Sequence, residues 1–465
     1  MKIGTKVRAR MRARIDASMQ GSRNPLPAVP VMAFAALALA GCLPEGVRLP
    51  QSSLLSALKR QSGRIAYLGV DGNVYITDQG ARHQTALTED ARATPDEDGR
   101  IVRYDLPTWS PEDRRLAFMR ASAVQGGDLT ASVLVASAEA GDPVEVFRSS
   151  TDVPIYLYWS PDGEWISFLT GGIGGGALAL RVAPAAGGEV TVIDTGRPYY
   201  WAWSPRERSI FAHVGGSAGD SSGQARLSFL SLDEPVTEVR LAQEPGMFQA
   251  PAFSPDGQSL LFATDLESGA GGLMLATAAG EVRSVVAEFP GAIAFAWAPH
   301  GHKVAYIASH APGQILPGDL YFLDLEDPEN PVQIETGAEA VVAFFWAPDG
   351  ERLVYLVPVI YGPENAAEQS DVPVSQILLA LYVADSIGGS PRLLGTFRPT
   401  QAMLQIIPFF DQYQRSATIW SPDGNYLVIS SVVGTEGEGL FLVPSSGSIE
   451  PSFLVDGRLA FWSWR

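Results

Sequence analysis

Residues 159–168 read WSPDGEWISF, a Trp, a four-residue turn signal and an apolar alternation within ten positions. In Ser-Pro-Asp-Gly the serine can bond back to the chain, and the proline presets the second residue of a type I turn. The aspartate tolerates the third position, and the glycine takes a positive φ without a Cβ clash. The next residues are strand-like, because in EWISF apolar positions alternate with polar ones or carry β-branched and aromatic side chains. The segment therefore predicts strand, tight turn, strand, with Trp159 closing the first strand. Near-copies return along the chain: WSPEDRRLAF from Trp109, WSPRERSIFA from Trp203, FSPDGQSLLF from Phe253, WAPHGHKVAY from Trp297, WAPDGERLVY from Trp346 and WSPDGNYLVI from Trp420.

Successive motif aromatics stand 50, 44, 50, 44, 49 and 74 residues apart. A period in the forties with four strand-sized segments per repeat predicts propeller blades. One repeat shows all four in order, AIAFAW, HKVAYIA, DLYFLDL and PVQIETG, which define strands A to D. The two ends of the chain complement each other. GRIAYLGVDGNVYITD, from Gly63, offers strands B and C with no A strand before them, and RLAFWSWR offers an A strand with nothing after it. Its Trp464 lies 44 residues past Trp420 and is taken as an eighth motif position. The expected fold is all-β: a propeller of eight four-stranded blades, closed by pairing of the N- and C-terminal strands. That closing blade is blade 1, and Trp109 opens blade 2. Trp109, Trp159, Trp203, Phe253, Trp297, Trp346, Trp420 and Trp464 are expected to pack one blade against the next.

The repeated WSPDG followed by a strand of the xxLxF type resembles the TolB-like (WD40-like) repeats of bacterial envelope proteins. It is also similar to the propeller domains of prolyl-oligopeptidase-type enzymes. The resemblance runs from about Gly63 to Arg465, and its seven copies make it specific for fold. It implies no particular activity, because propellers host many unrelated ones. TolB carries a separate α/β domain ahead of a six-bladed ring, and the peptidases carry a catalytic domain. Neither is expected here, so neither role is carried over.

The beginning of the chain has its own signal. A basic stretch (Lys2, Lys6, Arg8, Arg10, Arg12 and Arg14) leads into VPVMAFAALALAGC, an apolar run too short to span a membrane and ending in small residues. Leu39, Ala40, Gly41 and Cys42 match the bacterial lipobox, and Cys42 is the only cysteine in the chain. That resemblance implies acylation of Cys42, which becomes the first residue of the mature protein. Each buried methylene contributes about 0.8 kcal/mol, so two or three acyl chains anchor a protein firmly. The expected organisation is a signal peptide over 1–41, a membrane tether over 42–62 and the propeller over 63–465. Leu43 after the cysteine implies, by the same resemblance, export to the outer membrane of a two-membrane host.

Loss of residues 1–41 removes seven of the 33 Lys and Arg and one of the 51 Asp and Glu, leaving a net charge near −24. Such a surface repels phosphate backbones and anionic headgroups, so nucleic acid is not an expected partner, and it favours a soluble monomer. With the sole cysteine acylated, no disulfide is expected, and blade packing alone must stabilise the ring.

Several apparent catalytic motifs lack the context that chemistry needs. Gly215–Gly219 (GGSAG) fits G-x-S-x-G but sits in a loop between strands, where a nucleophile elbow needs a strand before it and a helix after. Gly172–Ala177 (GIGGGA) is a loose dinucleotide match in a similar loop. His300, His302 and His310 cluster in sequence without further ligands at zinc spacing. Asp96, Glu97 and Asp98 read as a solvated acidic loop before a calcium site. No metal or cofactor is expected, and no catalytic residue is assigned. The expected role is a lipid-anchored envelope module binding a protein, peptide or glycan. The alternative is a propeller lyase or hydrolase acting on glycans.

Loop lengths point to one face. The A–B turns are uniformly short, whereas the B–C and D–A loops vary in length and emerge on the opposite face. In the 74-residue repeat the D–A connection FRPTQAMLQIIPFFDQYQR is unusually apolar. Met403, Leu404, Ile407, Phe409, Phe410 and Tyr413 are therefore the candidate binding face if they are exposed together, and core if the segment folds back over the channel.

Overall fold

The computed structural model describes residues 62–465 except positions 125, 128, 140, 174, 217–224, 234, 247–248, 312–316, 337–339, 361–376, 387 and 435–436. The expected signal peptide, Cys42 and the expected tether up to residue 61 lie outside the described residues. Ser62 belongs to the ring: it is buried, and its hydroxyl accepts the Asp423 N–H at 3.0 Å.

Among the described residues the strands form eight antiparallel sheets, seven of four strands and one of three. The order within each sheet follows the chain, with one exception: the last strand, Leu459–Trp462, pairs with the first, Ile65–Leu68. The protein is thus an eight-bladed β-propeller closed by its terminal strands. The three-stranded sheet is blade 8, whose innermost strand is reduced to the single bridge Trp420↔Leu427. The main departure from strands is an insert between blades 7 and 8: helix α1 (Gln401–Ile406), a 3-10 turn (Ile407–Phe409) and helix α2 (Phe410–Tyr413).

The repeated turn works as a small hydrogen-bonded unit. In blade 3 the Gly163 N–H closes the turn on the Ser160 carbonyl at 2.9 Å, and the Trp165 N–H returns to Ser160 Oγ at 2.9 Å. The Glu164 N–H is held by Asp162 Oδ1 at 2.9 Å, and Gly163 sits at φ +72°. The same contacts recur around Ser254 and Ser421. Each residue of Ser-Pro-Asp-Gly therefore has a backbone task, which explains the repetition.

The motif tryptophans fasten neighbouring blades. Four indole N–H groups reach back directly to the carbonyl just before the motif aromatic of the preceding blade: Trp159 to Thr108 (3.2 Å), Trp297 to Ala252 (3.0 Å), Trp346 to Ala296 (3.2 Å) and Trp420 to Phe345 (3.0 Å). Trp203 does so through a relay, donating to Ser167 Oγ at 2.8 Å while that hydroxyl donates to the Tyr158 carbonyl at 2.9 Å. Arginines add a second fastening. Arg115 lies over the Trp159 ring and donates to the Gly163 carbonyl at 2.7 Å, and Arg352 repeats this with Trp420 and Gly424 at 3.0 Å. These contacts occupy the face of the short turns.

The same pattern corrects one expectation. In blade 1 the motif position belongs to Trp462, and Trp464 lies two residues beyond it. Trp462 pairs with Ile65 as Trp159 pairs with Ile166, it is fully buried, and the Trp109 indole donates to the carbonyl just before it, Phe461 O, at 3.4 Å. The 44-residue spacing pointed to the wrong Trp because strand A of this blade has no covalent turn to strand B. Trp464 instead stands where other blades carry the proline. Its backbone N–H and that of Arg465 donate to the Asp113 carboxylate at 2.8 and 2.7 Å. Asp113 replaces the turn glycine in blade 2 and adopts φ +59°, a conformation that disfavours side chains. The latch to the C-terminal strand offsets that strain.

Candidate functional site

The insert decides what becomes of the central channel. Thr400 caps α1, accepting the Met403 N–H at 3.3 Å and donating to the Arg458 carbonyl of blade 1 at 2.6 Å. The chain then enters the ring. Phe410 is fully buried edge-on to Phe344 of blade 7, with ring centroids 4.9 Å apart. Asp411 accepts the Ala250 N–H of blade 5 at 3.1 Å, and Arg415 donates to the carbonyls of Ala250 and Pro251. Gln412 Nε2 donates to the Trp201 carbonyl of blade 4 at 3.2 Å. The Tyr156 hydroxyl of blade 3 lies 2.9 Å from both the Gln412 carbonyl and Ser416 Oγ, and Thr108 of blade 2 donates to the Ser416 carbonyl. One segment thus bonds to the inner strands of successive blades and plugs the channel.

The expected exposed apolar patch is therefore not formed. Met403, Ile407 and Phe410 are 6%, 8% and 0% exposed, and Leu404 and Tyr413 are half-buried. Phe409 alone of the candidate residues stands out, at 45%. The cause is tertiary: an apolar connection of this length reaches the channel axis, where the inner strands of the blades supply apolar walls.

The plug leaves a hollow at each end. On the short-turn face a funnel of about 330 Å³ is ringed by motif residues such as Trp203, Phe253, Trp297 and Trp346, with Arg415 and Thr418 of the plug segment at its floor. On the loop face lies a cup of about 500 Å³ between the plug and blades 2 to 4. Its walls are Tyr156, Tyr199, Tyr200 and Trp201 on one side and Ile406, Phe409 and Tyr413 on the other. A more polar groove of about 650 Å³ continues from it over blades 1 to 3, and both hollows share Asp105, Met119, Pro154, Ala402 and Gln405.

Asp105 is the charged group at the junction. It sits on a bulge in the inner strand of blade 2 (Arg100–Trp109), where the register slips between Asp105 and Thr108. The next residue, Leu106, is held at φ +50°, unusual for a branched side chain and a mark of local strain. The carboxylate accepts the Leu106 N–H at 2.8 Å. Burial pushes its pKa above the ordinary aspartate range, and that single N–H opposes the shift. Asp90, on the groove side, behaves in the opposite sense. Burial raises it, but hydrogen bonds from Tyr104 and from Arg120 at 3.0 Å prevail and hold it low.

The sequence candidates outside the insert do not converge. His300 and His302 are exposed around the blade 6 turn, while His310 lies at the other end of the following strand, 3.0 Å from Asp319. Among the described residues no three His, Cys, Asp or Glu side chains gather as a metal site. Asp96 caps a turn, accepting the N–H groups of Asp98 (3.1 Å) and Arg100 (2.8 Å). Gly172 ends a strand, and the next element after Ala177 is strand Leu178–Pro184, with no helix for a phosphate. Ser217 of the GGSAG stretch is outside the described residues. The cup residues that sequence reasoning missed carried signals: a Leu-Pro pair inside an inner strand at 106–107, which marks a bulge, and the aromatic run YYWAW at 199–203.

Fold and site together define a β-propeller with a plugged channel and a walled cup on its loop face. No protein-family model and no curated protein matches the sequence. Solved structures do. A prolyl endopeptidase is 12% identical with a TM-score of 0.51 over 77% of this chain, which spans only half of that longer protein's length (50%). The dihydro-heme d1 dehydrogenase NirN, solved with DHE, is 13% identical with a TM-score of 0.51, covering 87% of this chain and 77% of its own. A TolB from Agrobacterium tumefaciens is 17% identical, with a TM-score of 0.37 over 83% of this chain and 99% of its own. At such identities the likeness to the first two, with TM-scores of 0.51, bears on the propeller fold alone and leaves function to the site.

Proposed function

We propose that this protein is a lipid-anchored, extracytoplasmic binding module of the bacterial cell envelope, and that it holds a protein, peptide or glycan ligand on its loop face. The observation that carries the reading is the division of labour between the two faces. The short turns are consumed by blade-to-blade fastening, whereas the opposite face presents a walled cup and an adjoining groove among loops of varied length. A rigid frame carrying variable loops is the usual setting for recognition. The lipobox at Leu39–Cys42 supports the anchor, and the strongly acidic composition supports a site facing water.

Two measurements test this. Cells given a radioactive fatty acid should label the wild-type protein and not the Cys42→Ser variant; an unlabelled wild type overturns the anchoring. For binding, the full-length chain in detergent is offered envelope proteins, peptides and glycans beside Gln405→Trp, which fills the cup from an exposed position. Ligands that depend on the cup are lost from the variant at unchanged melting temperature. Equal retention by both proteins overturns the cup as the site.

A second reading, a lyase or hydrolase acting on glycans, draws on Asp105, whose half-buried carboxyl is shifted in the direction a general acid requires. Cleavage of oligosaccharides by the wild type and not by Asp105→Asn would favour it.

A further inference from the structure

We propose that the cup recognises an organic ammonium group, primary or quaternary, with Asp105 as its counter-charge and the surrounding aromatic rings as its walls. The proposal rests on the reading of the cup as a binding site and names the chemistry it selects.

Three observations lead there. The first is the carboxylate. Asp105 is carried on a bulge beside a strained residue, faces both the cup and the groove, and takes its hydrogen bond from its own neighbour. The arginines around it are engaged elsewhere or stand apart. Arg197 at the rim donates to the Gly176 carbonyl (3.3 Å), Arg120 pairs with Asp90 (3.0 Å), Arg458 pairs with Glu438 (3.1 Å), and Arg103 is exposed in the adjoining groove. Burial accordingly pushes the Asp105 pKa up against the Leu106 N–H alone, with no cation among the described residues to hold it down. A half-buried carboxylate left in this condition is most stabilised by a cation brought from outside.

The second observation is the wall. Aromatic rings attract cations through their quadrupole, and the attraction strengthens when water is displaced. Tyr199, Tyr200, Trp201, Phe409 and Tyr413 all line the cup. The third is that several polar groups of the wall are already bonded within the protein, where a sugar would need many of them. The Tyr156 hydroxyl and Gln412 Nε2 hold the plug, and the Tyr199 hydroxyl donates to Asp194 at 2.9 Å; among the described residues Gln412 Oε1 is the buried acceptor left over on this wall. One carboxylate within an aromatic enclosure matches an ammonium better than a polyol.

The ammonium could belong to a small metabolite or to a lysine of a protein, and the test separates these. Isothermal titration of the full-length chain in detergent uses choline, Nα-acetyl-lysine methylamide and 3,3-dimethyl-1-butanol, the uncharged isostere of choline. At least one ammonium should bind about tenfold or more tightly than the isostere, and Asp105→Asn should abolish that preference. Binding of choline alone assigns a small quaternary ligand, and binding of the lysine derivative alone assigns a protein side chain. The proposal is overturned if the isostere binds as well as the ammoniums, if Asp105→Asn binds them like the wild type, or if neither ammonium binds at millimolar concentration. In that last case cup-dependent retention of envelope ligands, lost in Gln405→Trp, would still uphold the binding module. Melting temperatures of both variants show whether a loss of binding is a loss of fold.

Discussion

Phe410 and Phe409 are adjacent in sequence and opposite in burial, so truncating each measures what the plug contributes. Phe410 is 0% exposed and lies edge-on to Phe344 and Phe345, with centroids 4.9 and 6.2 Å away. Truncation to alanine removes a fully buried ring and leaves a cavity bounded by two others, which costs about 3–5 kcal/mol in a packed core. Phe409 is 45% exposed and meets Tyr200 edge-on at 6.4 Å. Its truncation forfeits roughly half of a full burial, on the order of 1 kcal/mol. The two variants should therefore differ by about 2–4 kcal/mol despite identical chemistry. Thermal and urea melts of the full-length protein, followed by tryptophan fluorescence, read the difference. Trp201 sits under the plug, so the plug and the ring should report together. If Phe410→Ala melts with or above Phe409→Ala, the insert is not part of the core and the plugged channel is wrong. A plug that melts ahead of the ring would instead show it to be a detachable cap.

Removing the Trp346 indole N–H by Trp346→Phe costs its 3.2 Å bond to Ala296, about 1 kcal/mol beyond the change in size. Trp462→Phe should cost less, because that buried indole N–H has no hydrogen-bond partner among the described residues; equal losses in paired melts would discredit the fastening role. Deleting residues 459–465 removes the inner strand of blade 1 and the partners of the Asp113 latch. It exposes sheet edges that template aggregation, and should abolish a cooperative melt; a truncated protein that melts like the intact one would mean closure contributes nothing. For Asp105, burial favours the protonated form, so its contribution to stability is present below the ordinary aspartate pKa of about 3.8 and is lost as pH rises through the folded value. Asp105→Asn should melt higher than the wild type at neutral pH and alike near pH 3, about a unit below that ordinary value. A variant less stable at neutral pH would mean that the carboxylate has a stabilising partner. A residue that lowers stability while conferring binding is a familiar compromise at functional sites.

Local chemistry made much of the fold legible. Ser-Pro-Asp-Gly is a turn wherever it occurs, because its four residues satisfy their own backbone within a few ångströms. Seven copies at a steady period leave few architectures besides a propeller. The unpaired B strand at Ile65 and the unpaired A strand at Leu459 also announced closure, since a strand edge needs a partner. What sequence reasoning located wrongly depended on distance along the chain standing in for distance in space. Trp464 kept the period while Trp462 kept the register, and register is a property of two paired strands. The apolar residues of 403–413 could be recognised as apolar, but whether water or protein covers them depends on inner strands contributed by the other blades. The same holds for Asp105. Its bulge can be suspected from Leu-Pro in a strand, yet the cup it lines with Tyr199, Trp201 and Tyr413 exists only once the closed ring brings blades 2 and 4 and the plug together.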